Sequence, residues 1–142
     1  MKTRIRARKW IITAAVLAAL FLTALLICRR DNIPGETFTD RAAFAKRLGY
    51  SIWEEDEKSK DIVIPSVFSD VYENYNALQK NSGFDLSLYK GEQAVVYTYP
   101  IADHPEGEGV VMNIIVCGGK IIGGDISSAE FDGFMTGLVR TS

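Results

Sequence analysis

The stretch VVMNIIVC-GG-KIIGGDIS, Val110 to Ser127, announces a β-hairpin. A Val- and Ile-rich run ends at Gly118-Gly119, a two-residue turn of the kind that needs positive φ, and a second apolar run returns from Lys120. Turn geometry pairs Val116 with Ile121 and Ile115 with Ile122, which sets Ile114 opposite Gly123 and Asn113 opposite Gly124. Both faces of this hairpin are apolar near the turn. Either another element covers the second face, or the domain presents a binding surface there. Gly123 and Gly124 weaken a strand unless something approaches closely: a bulge or a helix against bare backbone, or else a bound peptide or glycan.

Upstream, Gln93 to Tyr99 reads as a third strand with Val95, Tyr97 and Tyr99 on one face. Tyr50–Trp53 and Asp61–Ile64 read as two short strands joined into a hairpin by the polar run Glu54 to Lys58. Two helices precede and follow that pair. Thr39 caps one from Asp40 to Leu48, stopped by Gly49, and the main helix covers Ser66 to Asn81. Its apolar face is expected to carry Val67, Val71, Tyr75 and Leu78, with Phe68 and Tyr72 beside them. Glu130 to Val139 suggests a terminal helix weakened by Gly133 and Gly137. The expected class is α+β, an antiparallel sheet of about five strands with helices packed on one face.

The N-terminus has a different character. Lys2, Arg4, Arg6, Arg8 and Lys9 precede Trp10 to Cys28, nineteen residues without a charge. As a helix that run spans about 28 Å, close to the hydrocarbon thickness of a bilayer. A cleaved signal peptide fits less well, because the run is long and Leu26-Ile27-Cys28-Arg29 has no small-x-small cleavage site. The excess of basic residues before it places the N-terminus in the cytoplasm. The expected organisation is a basic cytoplasmic tail at 1–9, a transmembrane helix at 10–28, a linker at 29–37 and an extracytoplasmic domain at 38–142 of a cell-membrane protein. Residues 29–142 hold eleven Lys and Arg against eighteen Asp and Glu, a net charge of −7. Such a domain is a poor partner for nucleic acid.

Catalytic chemistry finds little to use. With a single histidine, no three-His metal site forms within one chain. Asp103, His104, Glu106 and Glu108 share a loop that suits a cation only weakly against the reading of a solvated turn. Cys117 lies a whole strand away from His104, too far for a nucleophile pair, and reads as a small apolar residue. No glycine-rich loop opens a helix to cradle phosphate. No catalytic, metal or cofactor residues are therefore assigned, and no cofactor is expected. The candidate binding surface comprises Asn113, Ile115, Ile122, Gly123, Gly124 and Asp125, with Tyr97 and Tyr99. The expected function is a non-enzymatic protein- or peptide-binding module of the cell envelope, in which Gly124→Arg blocks the partner and spares the fold. The alternatives are an ion or small-ligand sensor using Asp103–Glu108, and a cell-wall hydrolase dependent on His104.

Several short motifs strengthen this picture together. Ile64-Pro65, the run Tyr75 to Lys80, Gly83 to Leu86 with Tyr89 and Gly91, Tyr97 to Tyr99, and Ile121 to Asp125 resemble an uncharacterised family over roughly Thr39 to Leu138. The resemblance implies single-pass proteins of clostridial and related Gram-positive bacteria, with a domain of unknown function outside the membrane. It brings no catalytic residues. The order of elements is also similar, as analogy only, to PepSY-type envelope modules.

Overall fold

A computed structural model describes residues 32–102, 104–105, 108–128, 130 and 133–139. The tail at 1–9 and the apolar run at 10–28 lie outside these residues. Among the described residues no helix is long and apolar enough to cross a membrane.

Five described strands form one antiparallel sheet in sequence order: β1 (Lys58–Val63), β2 (Gln93–Pro100), β3 (Val110–Cys117), β4 (Lys120–Ser128) and β5 (Met135–Gly137). Two α-helices accompany it, α1 (Phe38–Leu48) and α2 (Asp70–Asn81). Alternation along the strands divides the core in two. On the first face α1 packs Phe44, Ala45 and Leu48 with Tyr99, Met112, Ile114 and Val116. On the second face Ala94, Ile115 and Ile122 pack with Leu86 and with Tyr72 and Tyr75 of α2. The helices therefore cover opposite faces, and the expectation that they share one face is corrected. Ile115 and Ile122 needed their own cover, and α2 supplies it.

The sheet has five strands, but not the expected five. Tyr50–Trp53 forms no strand, and the acidic run after it closes a 3-10 turn, Glu54–Asp56. Tyr50 and Ile52 are buried through side-chain packing against the α1 cluster, so apolar alternation there reports anchoring without a ladder. β1 pairs instead with β2, Asp61 opposite Val95. The missing strand is recovered as β5, where a terminal helix was expected. Gly137 of β5 passes so close to α2 that an added Cβ would lie 2.0 Å from Ser82 Oγ.

The β3–β4 register begins as expected, Val116 opposite Ile121, and then slips. A bulge after Val116 places Ile115 opposite Gly123, Ile114 opposite Gly124 and Asn113 opposite Asp125. The extra residue lets Ile122 and Gly123 both lie beneath α2, where Gly123 would set a Cβ 2.7 Å from Gln79 Oε1.

Both helices start elsewhere than hydropathy suggests. Thr37, not Thr39, caps α1, because only Thr37 has an acidic residue three positions on. Its hydroxyl accepts from the Asp40 amide at 3.2 Å, and Asp40 accepts from the Thr37 amide at 3.0 Å. α2 begins four residues late, after its cap Ser69, and presents a different face. Val67 and Val71 are 82% and 78% exposed, whereas Asn76 and Gln79 are buried. These two amides replace apolar residues because each caps a backbone donor. Gln79 Oε1 accepts from the Gly124 amide and Asn76 Oδ1 from the Leu86 amide, both at 2.8 Å.

Two carboxylates couple this fold to pH. Hydrogen bonds from the Thr37 amide and hydroxyl hold Asp40 below the usual carboxylate range. Partial burial would raise Asp85, but hydrogen bonds from Ser87 and Asn76 outweigh it and bring its pKa down. A depressed folded-state pKa stabilises above the unfolded value and loses that contribution as pH falls through the folded one. The urea midpoint is therefore expected to drop between about pH 5 and pH 3, and to drop less in Asp85→Asn. An equal drop in both proteins would exclude Asp85 as a source.

Candidate functional site

The first face holds a buried arginine that makes four hydrogen bonds. Arg41 of α1 is 3% exposed. Its Nε donates to the Tyr99 hydroxyl at 2.7 Å, and its terminal nitrogens donate at 2.8 Å to the carbonyls of Gly35 and Glu36 and to Glu57 Oε2. The guanidinium also lies 3.6 Å from the centre of the Tyr97 ring. Tyr99 in turn donates its hydroxyl proton to Glu57. Burial, and then that bond to Glu57, push the Tyr99 hydroxyl well above the ordinary phenol range, so it stays a donor.

This cluster fixes the chain that leads into α1. Residues expected to be linker instead form an arm: Gly35 donates to the Gly119 carbonyl and Ile121 to the Ile33 carbonyl, each at 2.9 Å. Gly35 is seated so closely that a Cβ would meet Ile121 Cγ1 at 2.6 Å. The arm thus borders the open end of the first face.

Between the arm and β1 lies a groove of about 530 Å³. Val95, Tyr97 and Val116 line its central strands, Asp61 and Val63 belong to β1, and Glu36 stands beside the Gly118–Gly119 turn. Asp61, Val95 and Val116 share one register row, which brings their side chains to the same face. Neither Glu36 nor Asp61 has a hydrogen-bond or ion-pair partner among the described residues. Val63 is 59% exposed.

The residues singled out from the sequence separate. Asn113, Ile115, Ile122, Gly123 and Asp125 belong to the second face, where Ile115, Ile122, Gly123 and Asp125 are buried beneath α2 and its following turn. Asn113 is half-buried. It donates to Asp125 Oδ1 at 2.9 Å and accepts from Thr98 at 2.7 Å, while Tyr75 donates to Asp125 Oδ2 at 2.8 Å. Burial, then the Asp125 charge, push the Tyr75 hydroxyl far up, which keeps it protonated and donating. The polar groups of this row are bonded to one another. Gly124 and Tyr99 turn to the first face and are buried as well; only Tyr97 reaches the groove.

In the loop before β3, Asp103 and Glu106 lie outside the described residues, and Glu108 is exposed. The His104 ring is stacked between Tyr50 and Phe134, with centroids at 5.8 and 5.4 Å. Among the described residues no three of His, Cys, Asp and Glu converge on a metal position. Cys117 is half-buried, and burial followed by the Glu92 charge raises its thiol pKa.

A domain-of-unknown-function family, DUF4830, matches residues 44–126, more than half of the chain. The chain belongs to the DUF4830 family. No curated protein and no solved structure matches it. The match starts inside α1 and ends inside β4, so the DUF4830 region holds β1 to β3 and every groove residue except Glu36. The family assignment supports the uncharacterised family read from the motifs, though not its bacterial source or membrane anchor, and assigns no activity to the DUF4830 domain. The groove residues Glu36, Asp61, Val63 and Val116 escaped sequence reading because none has a motif. Only the pairing of Asp61 with Val95, and of Val95 with Val116, makes them neighbours.

Proposed function

We propose that this protein is a membrane-tethered, non-enzymatic binding module of the cell envelope, which holds a short segment of a protein partner in the groove between the arm and β1. The groove carries the reading. It combines apolar Val63, Val95 and Val116 with an aromatic ring and two carboxylates that have no partner among the described residues, on the part of the first face that α1 leaves open. The uncharged run Trp10–Cys28 and the basic residues before it support the tether and an extracytoplasmic domain. The envelope of a Gram-positive bacterium is the compartment that the motif resemblance favours.

Site-specific photocrosslinking tests the groove. A benzophenone amino acid replaces Val63 in the full chain, and exposed Arg47 of α1 serves as the control position. Irradiated native membranes are expected to give a discrete adduct from position 63 and none from position 47. The same adduct pattern from both positions, or none from either, would remove the groove as the binding site.

A further inference from the structure

We infer that the groove takes a basic, extended peptide segment, whose Lys or Arg side chain lies along the apolar strand residues with its charged head against Glu36 or Asp61. This rests on the binding reading above and adds the chemistry of the ligand. The groove lining holds two carboxylates and no Lys or Arg. Four acidic side chains of the domain are committed to the fold: Asp40 to the α1 cap, Glu57 to Arg41, Asp85 to Ser87 and Asn76, and Asp125 to Tyr75 and Asn113. Glu54, Glu55, Asp70 and Glu73 are exposed outside the groove lining. Glu36 and Asp61, the two in the groove lining, have no such partner among the described residues. Their charge is therefore available to a partner.

Shape narrows the ligand further. Strands lie about 4.8 Å apart, so β1 and the turn end of β3 and β4 set the two carboxylates roughly 10–14 Å apart across the sheet. A long cationic side chain laid over Val95 and Tyr97 buries its methylene stem and carries its head to either carboxylate. A volume of about 530 Å³ takes a few residues of extended chain, whereas an α-helix with its side chains is about 10–12 Å across. The surplus of seven negative charges beyond Cys28 adds long-range attraction for a basic segment and repels an acidic one.

The test uses the full chain in detergent micelles and two fluorescently labelled, end-blocked pentapeptides, one alternating Val with Lys and one alternating Val with Glu. Anisotropy is expected to show binding of the Lys peptide alone, weakened by added salt. The pair Glu36→Gln with Asp61→Asn should weaken it about tenfold, and the pair Glu55→Gln with Glu73→Gln, which removes the same charge away from the groove, less than about twofold. Equal binding of both peptides, equal effects of the two charge pairs, or no binding of the Lys peptide would overturn the inference. If the Lys peptide also fails to suppress a Val63 crosslink that does form, the groove binds another chemistry, and the binding reading survives alone.

Discussion

Gly124→Ala is expected to unfold the domain or leave it marginal, with a loss of about 4 kcal/mol or more. The reason lies in its backbone conformation and in what an added Cβ would meet. Gly124 has φ +152°, and an ideal Cβ would sit 2.1 Å from the Asn113 carbonyl oxygen and 2.8 Å from Leu138 Cδ1. The first contact is with backbone in the middle of β3, which cannot move without breaking its ladder. The same residue gives its amide to Gln79 Oε1, so a shift would also strip the buried helix of that bond. A small domain has only about 5–15 kcal/mol of total stability to lose. Urea unfolding followed by far-UV dichroism measures the effect, and a change below about 1 kcal/mol would show that β3 and β4 can relax around a methyl group. Gly124→Arg, expected from sequence to spare the fold, is corrected by the same contacts.

Arg41→Met is expected to cost about 2–4 kcal/mol, the second large effect. Methionine fills similar volume, so the loss isolates the charge and its hydrogen bonds from cavity formation. Without the guanidinium, the carbonyls of Gly35 and Glu36, the Tyr99 hydroxyl and Glu57 all lose a donor or a partner. The Glu57 side chain is 23% exposed and recovers some hydration, which keeps the figure below that of a fully buried pair. Replacing both partners, as Arg41→Met with Glu57→Leu, should destabilise less than the sum of the single changes. Hydrogen exchange adds a local readout. The amides of Gly35 and Ile121, which tie the arm to the β3–β4 hairpin, should lose protection in Arg41→Met before the centre of the sheet does. Uniform loss across the domain would mean that Arg41 does not hold the arm.

These two residues mark where reading the chain succeeds and where it stops. Gly118-Gly119 and the apolar runs on either side specify the β3–β4 hairpin, because turn chemistry and strand propensity are local. Gly49 likewise ends α1, with φ +94° at the position that needs it. Local signals also misled. Val67 and Val71 follow helical spacing yet face solvent, while the amides Asn76 and Gln79 go inside. Hydropathy ranks an amide as polar. It has no access to the backbone donors of Leu86 and Gly124 that make its burial favourable. Arg41 poses the same problem, since a buried guanidinium is intelligible only once Glu57, Tyr99 and two carbonyls surround it.

From its sequence alone, the chain specifies an uncharged run long enough for a bilayer, an acidic region after it, an α+β domain and the central hairpin. Each follows from composition or from residues a few positions apart. The strand partners of β1, the bulge at Ile115–Val116 and the division of the helices between two faces depend on contacts far apart in the chain. So does the groove: Glu36, Asp61, Val95 and Val116 span eighty residues and become one surface only when β1 and the arm settle on either side of β2 and β3. Side chains can be read locally, but their neighbours are chosen by the free energy of the whole packed sheet.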